Sequence, residues 1–205
     1  MTLLNNNERQ QVTDAIAAVE RETDAELVTV LAERADDYAY IPLLWAGLIA
    51  LLLPGALLFF TAAISASTLL LIQWSVFVAL ALVFRLPAVT TRMIPKSVRH
   101  WRAANLARRQ FLEQNLHHTR DATGMLIFVS EAERYVEIIA DRGISQHVDD
   151  SEWQAIVSAF TARVRAGETR AGFLECIAAC GEKLHTAVPA THERNELPNH
   201  LVVLD

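Results

Sequence analysis

From Ile41 to Phe84 the chain carries no Asp, Glu, Lys, Arg or His. Outside that block the charge density is that of an ordinary soluble domain. One bilayer crossing by a helix takes roughly 20 apolar residues, so 44 uncharged residues in a row predict two crossings. A soluble core hairpin of that length without one charge is the weaker reading. The block divides into spans at about 41–64 and 67–84, with Ser65-Ala66-Ser67 at the turn. Trp45 sits where an interfacial anchor is expected, whereas Trp74 falls too deep in the second span for that role. Pro54-Gly55 lies inside the first span and predicts a kink, because proline removes a backbone hydrogen bond.

The flanks show other periods. Asn7, with Gln10 three residues on, is placed to cap a first helix carrying Val12, Ile16 and Val19 on one face. Residues 25–33 read as a strand, since Leu27 to Leu31 is β-rich and nearly all apolar, the pattern of a strand covered on both faces. After the hairpin, residues 97–118 read as a helix, with Ala104, Ala107 and Phe111 sharing a face. Strands follow at 125–129 and 134–140. Only a short polar turn separates them, which makes them an antiparallel pair. Asp149 and Glu152 have the spacing of a capping box for a helix whose inner face is Trp153, Ile156, Phe160 and Val164; Gly167 ends it. A last helix covers about 169–186, and Leu201 to Leu204 is read as an edge strand.

The first helix and strand cannot bury their apolar faces alone. Residues 1–40 and 97–205 are therefore expected to form one α/β domain. The transmembrane hairpin, 41–84, and a basic juxtamembrane segment, 85–96, are inserted into it.

Charge changes the picture by its distribution more than by its total of −6. Residues 85–109 contain Arg85, Arg92, Lys96, Arg99, Arg102, Arg108 and Arg109 with no acid, whereas the turn near Ser65 has no basic residue. The positive-inside rule then places both termini and the α/β domain in the cytoplasm. Arg92, Lys96, Arg99 and Arg102 are expected to meet anionic lipid headgroups. The acidic remainder, without aromatic-interleaved basic patches, argues against nucleic acid as a partner. The N-terminus has no basic, then apolar, secretory pattern, so the hairpin is expected to do the targeting. Cys176 and Cys180 lie four apart on a face with Phe173, Ile177 and Leu184 and are read as core. His117-His118 is read as a helix end.

An ordered set of residues resembles the TPM domain family. It comprises Thr23-x-x-Glu26, Asp121-x-x-Gly124-x-Leu126, Glu133-Arg134, Asp141-x-Gly143, Asp149, Trp153, Gly167 and Gly172. The stretch Ser130 to Val136 and the tail Asn195-Glu196-Leu197-Pro198 are similar to a bacterial branch of uncharacterised membrane proteins. The resemblance implies an α/β/α sandwich around a small mixed sheet, here interrupted by the hairpin, and a place in the bacterial inner membrane. Family members are described as acid phosphatases, calcium binders, or assembly and repair factors of membrane complexes. Asp121-Ala122-Thr123-Gly124 and Asp141-Arg142-Gly143 stand where the family usually has Asp-Asn-Gly and Gly-Tyr-Gly, which puts carried-over chemistry in doubt.

The candidate chemistry is a set of carboxylates, Glu26, Asp121, Asp141 and Asp149, with Asp150 beside them. Their oxygens suit Ca²⁺ or Mg²⁺, and such an ion supports phosphoryl chemistry. The competing reading gives each a structural duty. Asp149 caps a helix, Asp121 and Asp141 stabilise glycine turns, and Glu26 pairs with an arginine such as Arg134 or Arg142. No zinc-protease pair of histidines, nucleophile elbow, phosphate loop or dinucleotide fingerprint is present. The expected function is a membrane-anchored cytoplasmic interaction module that assists assembly, repair or turnover of a membrane protein complex. The alternative is a divalent-metal-dependent phosphatase near the membrane. A solute path through the hairpin is the weakest reading, because the spans lack the ionisable residues that mark transport.

Overall fold

A computed structural model of the chain describes residues 4–60, 64–86, 89, 93–191, 197 and 201–204. It runs α1 (Asn6–Glu20), β1 (Glu26–Ala32), α2 (Tyr40–Phe60), α3 (Ala66–Phe84) and α4 (Lys96–Glu113). A 3-10 turn at Leu116–His118 leads into β2 (Gly124–Ser130) and β3 (Tyr135–Ala140). Then come a short α5 (Arg142–Ser145), α6 (Asp150–Ala166), α7 (Thr169–Ala187) and β4 (Leu201–Leu204). The chain divides into two units, residues 1–35 with 100–205, and residues 36–99.

The first unit is built on a four-stranded mixed sheet in the order β3-β2-β1-β4. β1 is parallel to β2, with Val28 opposite Leu126, and parallel to β4, with Val30 opposite Val202. β2 and β3 are antiparallel, with Leu126 opposite Ile139. Every residue of β1 and of β2 is buried. Their alternation feeds two apolar clusters, one on each face. Val28, Val30, Leu126 and Phe128 pack with Ala103 and Ala107 of α4. Leu27, Leu31, Met125 and Ile127 pack with Val12 and Ile16 of α1, Trp153 and Phe160 of α6, and Phe173 and Ile177 of α7. The long apolar runs at 27–31 and 125–129 thus follow from having helices on both sides.

Local chemistry sets the helix ends. α1 starts with a capping box, in which Glu8 N–H donates to Asn5 Oδ1 and Asn5 N–H to Glu8 Oε2, both at 2.9 Å. The cap is therefore Asn5 with Glu8, two residues earlier than the expected Asn7 with Gln10; Gln10 instead bonds Asp14 along the helix. α6 ends at Gly167, whose φ of +79° is the left-handed conformation glycine tolerates best. Arg163 then bridges α6 to Glu168 and Glu175. Cys176 and Cys180 are buried free thiols. The hydrogen bond between them, then burial, pushes the Cys176 thiol well above its usual range.

The second unit is dominated by α2 and α3, which fold back on one another. Phe77 lies 4.0 Å from where a Cβ on Gly47 would stand. α2 continues as helix through Pro54. Both helices are long and apolar enough to cross a bilayer. Unlike core helices, they leave large side chains uncovered: Leu51 is 70% exposed, Phe59 86% and Trp74 65%.

Candidate functional site

Three of the four candidate carboxylates start from one end of the sheet. Glu26 opens β1, Asp121 precedes β2 and Asp141 follows β3. The loop before β2 joins them through the backbone. Glu26 N–H donates to Thr123 O at 3.1 Å, Asp141 N–H to Gly124 O at 2.9 Å, and Gly143 N–H to Ala122 O at 2.9 Å. This is the N-terminal end of the parallel strands β1 and β2. Ligand sites of open α/β sheets form at the other end, beyond the carboxyl ends of such strands.

Two of these side chains hold backbone N–H groups and the others are exposed. Glu26 is buried, and its Oε2 accepts from Leu197 N–H at 3.2 Å, which ties the tail to the start of β1. Asp141 caps α5, accepting from Arg142 N–H at 2.7 Å. Asp121 is exposed beside Ala122, whose φ is +55°. Asp149 and Asp150 are exposed at the start of α6. Asp149 occupies the N-cap position but makes no side-chain cap bond, so the expected capping box is not formed. Glu152, its intended partner, instead pairs with Lys183 of α7. Among the described residues, no three His, Cys, Asp or Glu side chains are gathered as a metal-holding group.

The same strand end is held by further polar contacts. Thr23 donates its hydroxyl to Val188 O, Thr123 donates to Asp24 O at 2.9 Å, and Thr191 N–H donates to Asp24 Oδ1 at 3.0 Å. Thr23-x-x-Glu26 thus joins the entry of β1 to the end of α7 and the tail. An open groove of about 440 Å³ lies between α5–α6 and α7, lined by His147, Glu152, Glu182, Lys183 and Thr186. The Glu152–Lys183 ion pair belongs to its wall.

Two clusters escaped the sequence reading as sites. At the carboxyl end of β2, Glu133 is buried and accepts from the Ser130 hydroxyl and, at 3.1 Å, from Ala35 N–H. It fastens the β2–β3 turn, in which Arg134 takes a φ of +50°, to the segment leaving β1. In the sequence, only the family resemblance singles out Glu133-Arg134.

The second cluster is Tyr135, Glu137, Arg108 and His100. Tyr135 OH donates to Glu137 Oε2 at 3.1 Å, and the His100 ring meets the Tyr135 ring edge-on with centroids 5.3 Å apart. The signal available was the i, i+2 spacing of Tyr135 and Glu137, which puts both on one strand face.

Burial pushes the Glu137 carboxyl above its usual range, against the opposing pull of the Tyr135 hydrogen bond and of Arg108. Burial, with Glu137 adding to it, also raises the Tyr135 phenol. A carboxyl that binds its proton more tightly when folded stabilises the fold fully below its unfolded value. That contribution is lost as pH rises through the folded value. Glu137→Gln keeps the acceptor for Tyr135 and removes the charge. It is expected to raise the melting temperature at about pH 7 and to make little difference below about pH 4, where the unfolded carboxyl is itself protonated. Thermal unfolding at both pH values checks this; an unchanged or lower melting temperature at neutral pH would contradict it.

These features define a mixed α/β domain whose central strands are buried between helices, with an apolar helical pair entered between β1 and β2. Residues 88–183 match the TPM domain. That match takes in α4, β2, β3, α5, α6 and most of α7, and leaves out α1, β1 and β4. Among solved structures, the chain is similar to the NMR structure of BA42 protein from the psychrophilic bacterium Bizionia argentinensis. The TM-score is 0.59 at 18% identity, covering 98% of this chain and 94% of that one. At that identity the likeness is one of fold. No curated protein matches the chain.

Proposed function

We propose that this is a bacterial inner-membrane protein whose α2–α3 hairpin crosses the bilayer and holds the α/β domain on the cytoplasmic surface. There it serves as a non-catalytic interaction module for assembly, repair or turnover of a membrane protein complex. The observation that carries the reading is the exposure of two apolar helices. At roughly 25 cal/mol per Å² of apolar surface, two such helices left in water are untenable, and a hydrocarbon environment removes the cost. The interaction role is supported by how the candidate carboxylates are used. Glu26 and Asp141 hold backbone N–H groups, as structural residues do.

The basic residues after α3, including Arg85, Lys96 and Arg99, fix the orientation on this reading, and Lys96, Arg99 and Arg102 contact anionic headgroups; Arg92, expected to do the same, lies outside the described residues. A cysteine placed at Ser67, at the turn end of α3, is expected to react in intact cells with a reagent that cannot cross the inner membrane. One at Ser97, at the start of α4, is expected to react only after lysis. Cys176 and Cys180 are buried and give little background. Reaction at Ser97→Cys in intact cells, with protection at Ser67→Cys, would reverse the topology; recovery of the chain in the soluble fraction would end the membrane reading.

A further inference from the structure

α4 follows the second apolar helix and has two unlike sides. Ala103, Ala107 and Gln110 are its buried side, the first two packed on the sheet. At 100° per residue, the opposite side carries Trp101, Asn105, Arg108 and Leu112. Trp101 and Leu112, large apolar residues, are 57% and 56% exposed there. Arginines flank them. The Arg102 guanidinium lies 5.0 Å from the centre of the Trp101 ring, and the exposed Arg109 is ion-paired with Glu113 at 2.7 Å. From Lys96 to Leu112 there are five Lys or Arg residues and no acid.

A ridge of two exposed apolar side chains, with Asn105 and Arg108 between them and arginines on its flanks, suits a helix lying in the plane of a bilayer surface, with its ring and leucine at the headgroup boundary and its flanking arginines on phosphates. A protein groove that accepted the same ridge would need an acidic rim. A membrane supplies that charge, and the chain places this helix next to one, since α4 begins within 12 residues of the end of α3.

We infer that the outward face of α4 seats the α/β domain on an anionic bilayer surface, with Trp101 and Leu112 entering the headgroup region and Arg102 and Arg109 meeting lipid phosphates. This rests on the proposed membrane hairpin and adds a second, peripheral attachment to it. The hairpin tethers the domain, and the α4 face holds it against the lipid.

The test uses the full chain in nanodiscs of phosphatidylcholine alone or with about 30 mol% phosphatidylglycerol. A spin label is placed at Leu112→Cys, or at Val78→Cys within α3 as a control. Depth is read from relaxation by oxygen against that by a water-soluble nickel complex. The expected result is a Val78 label in hydrocarbon in both discs. The Leu112 label should be in water in phosphatidylcholine and several-fold more protected from nickel in the anionic discs. Arg102→Gln with Arg109→Gln should return it towards water. A Val78 label in water would overturn the hairpin reading. A Val78 label in hydrocarbon with a Leu112 label in water in anionic discs would overturn this inference alone. Equal protection of Leu112 in both discs, insensitive to the charge substitutions, would mark a protein or second copy on the face and would also overturn it.

Discussion

Residues 97–205 produced without the preceding chain are expected not to fold. β1 is an inner strand with parallel neighbours on both sides. Removing it bares the edge of β2, leaves β4 without its partner, and takes Leu27, Val28, Val30 and Leu31 out of the two clusters. Each buried Val or Leu contributes roughly 1.5–3 kcal/mol. Four of them amount to most of the 5–15 kcal/mol by which a domain is usually stable, before any lost sheet bond is counted. The fragment should show a broad thermal transition, poorly protected β2 amides and aggregation. Joining residues 4–35 to 100–205 by a flexible Gly/Ser linker, in place of the apolar helices, should restore a sharp transition and a monomer. A fragment 97–205 that melted cooperatively as a monomer would refute the inserted-hairpin architecture, even though the TPM match itself begins at residue 88.

Substituting Gly124 or Gly143 should have the next largest effect. A Cβ at Gly124 would stand 2.2 Å from Leu116 O, and one at Gly143 would stand 2.3 Å from Asp121 O and 2.7 Å from Ala122 O. These neighbours are backbone atoms held by the loop that joins the entries of β1 and β2 to the exit of β3, so they cannot rotate aside. Overpacking of this kind costs about 1–3 kcal/mol, and each alanine is expected at or above the upper end of that range. Gly167→Ala gives a contrast. Its position has positive φ but open space, so only the left-handed strain, roughly 1–2 kcal/mol, applies. Thermal unfolding of the full chain in detergent, followed by near-ultraviolet circular dichroism, orders the three. Gly124→Ala or Gly143→Ala as mild as Gly167→Ala would mean that the loop gives way easily and is not the rigid joint described here.

The elements legible in the sequence were those with one dominant cause. The uncharged block located α2 and α3 to within a few residues, with residues 61–63 outside the described ones. The continuous apolar runs located β1 and β2 because helices cover both their faces. The edge strand at Leu201–Leu204 also forms, and it pairs with β1 in parallel.

What failed were choices between near-equal neighbours. Asn5, Asn6 and Asn7 all suit an N-cap, and only the return bond from Glu8 selects Asn5. Asp149-x-x-Glu152 has the spacing of a capping box, but Glu152 has a lysine across the groove to pair with. The candidate site was partly legible. The sequence shows that Glu26, Asp121 and Asp141 each border a strand, and the fold does bring those borders to one end of the sheet. Which end depends on strand direction. That is settled by the parallel pairing of β1 with β2, a contact between residues far apart in sequence that local patterns do not encode.

That pairing also sets an order of events during synthesis. β1 leaves the ribosome early, but its inner neighbour arrives only with residues 124–130 and its outer one with residues 201–204. Between them the chain must deliver two helices suited to lipid. Contacts this distant in sequence form slowly, and while β1 waits, both of its edges are open to wrong partners. On the proposed membrane reading, insertion of the hairpin first would bring together the chain ends that leave and re-enter the α/β domain, which shortens the effective loop that docking of β1 and β2 must close. Membrane insertion would then act as a folding step for the water-facing domain.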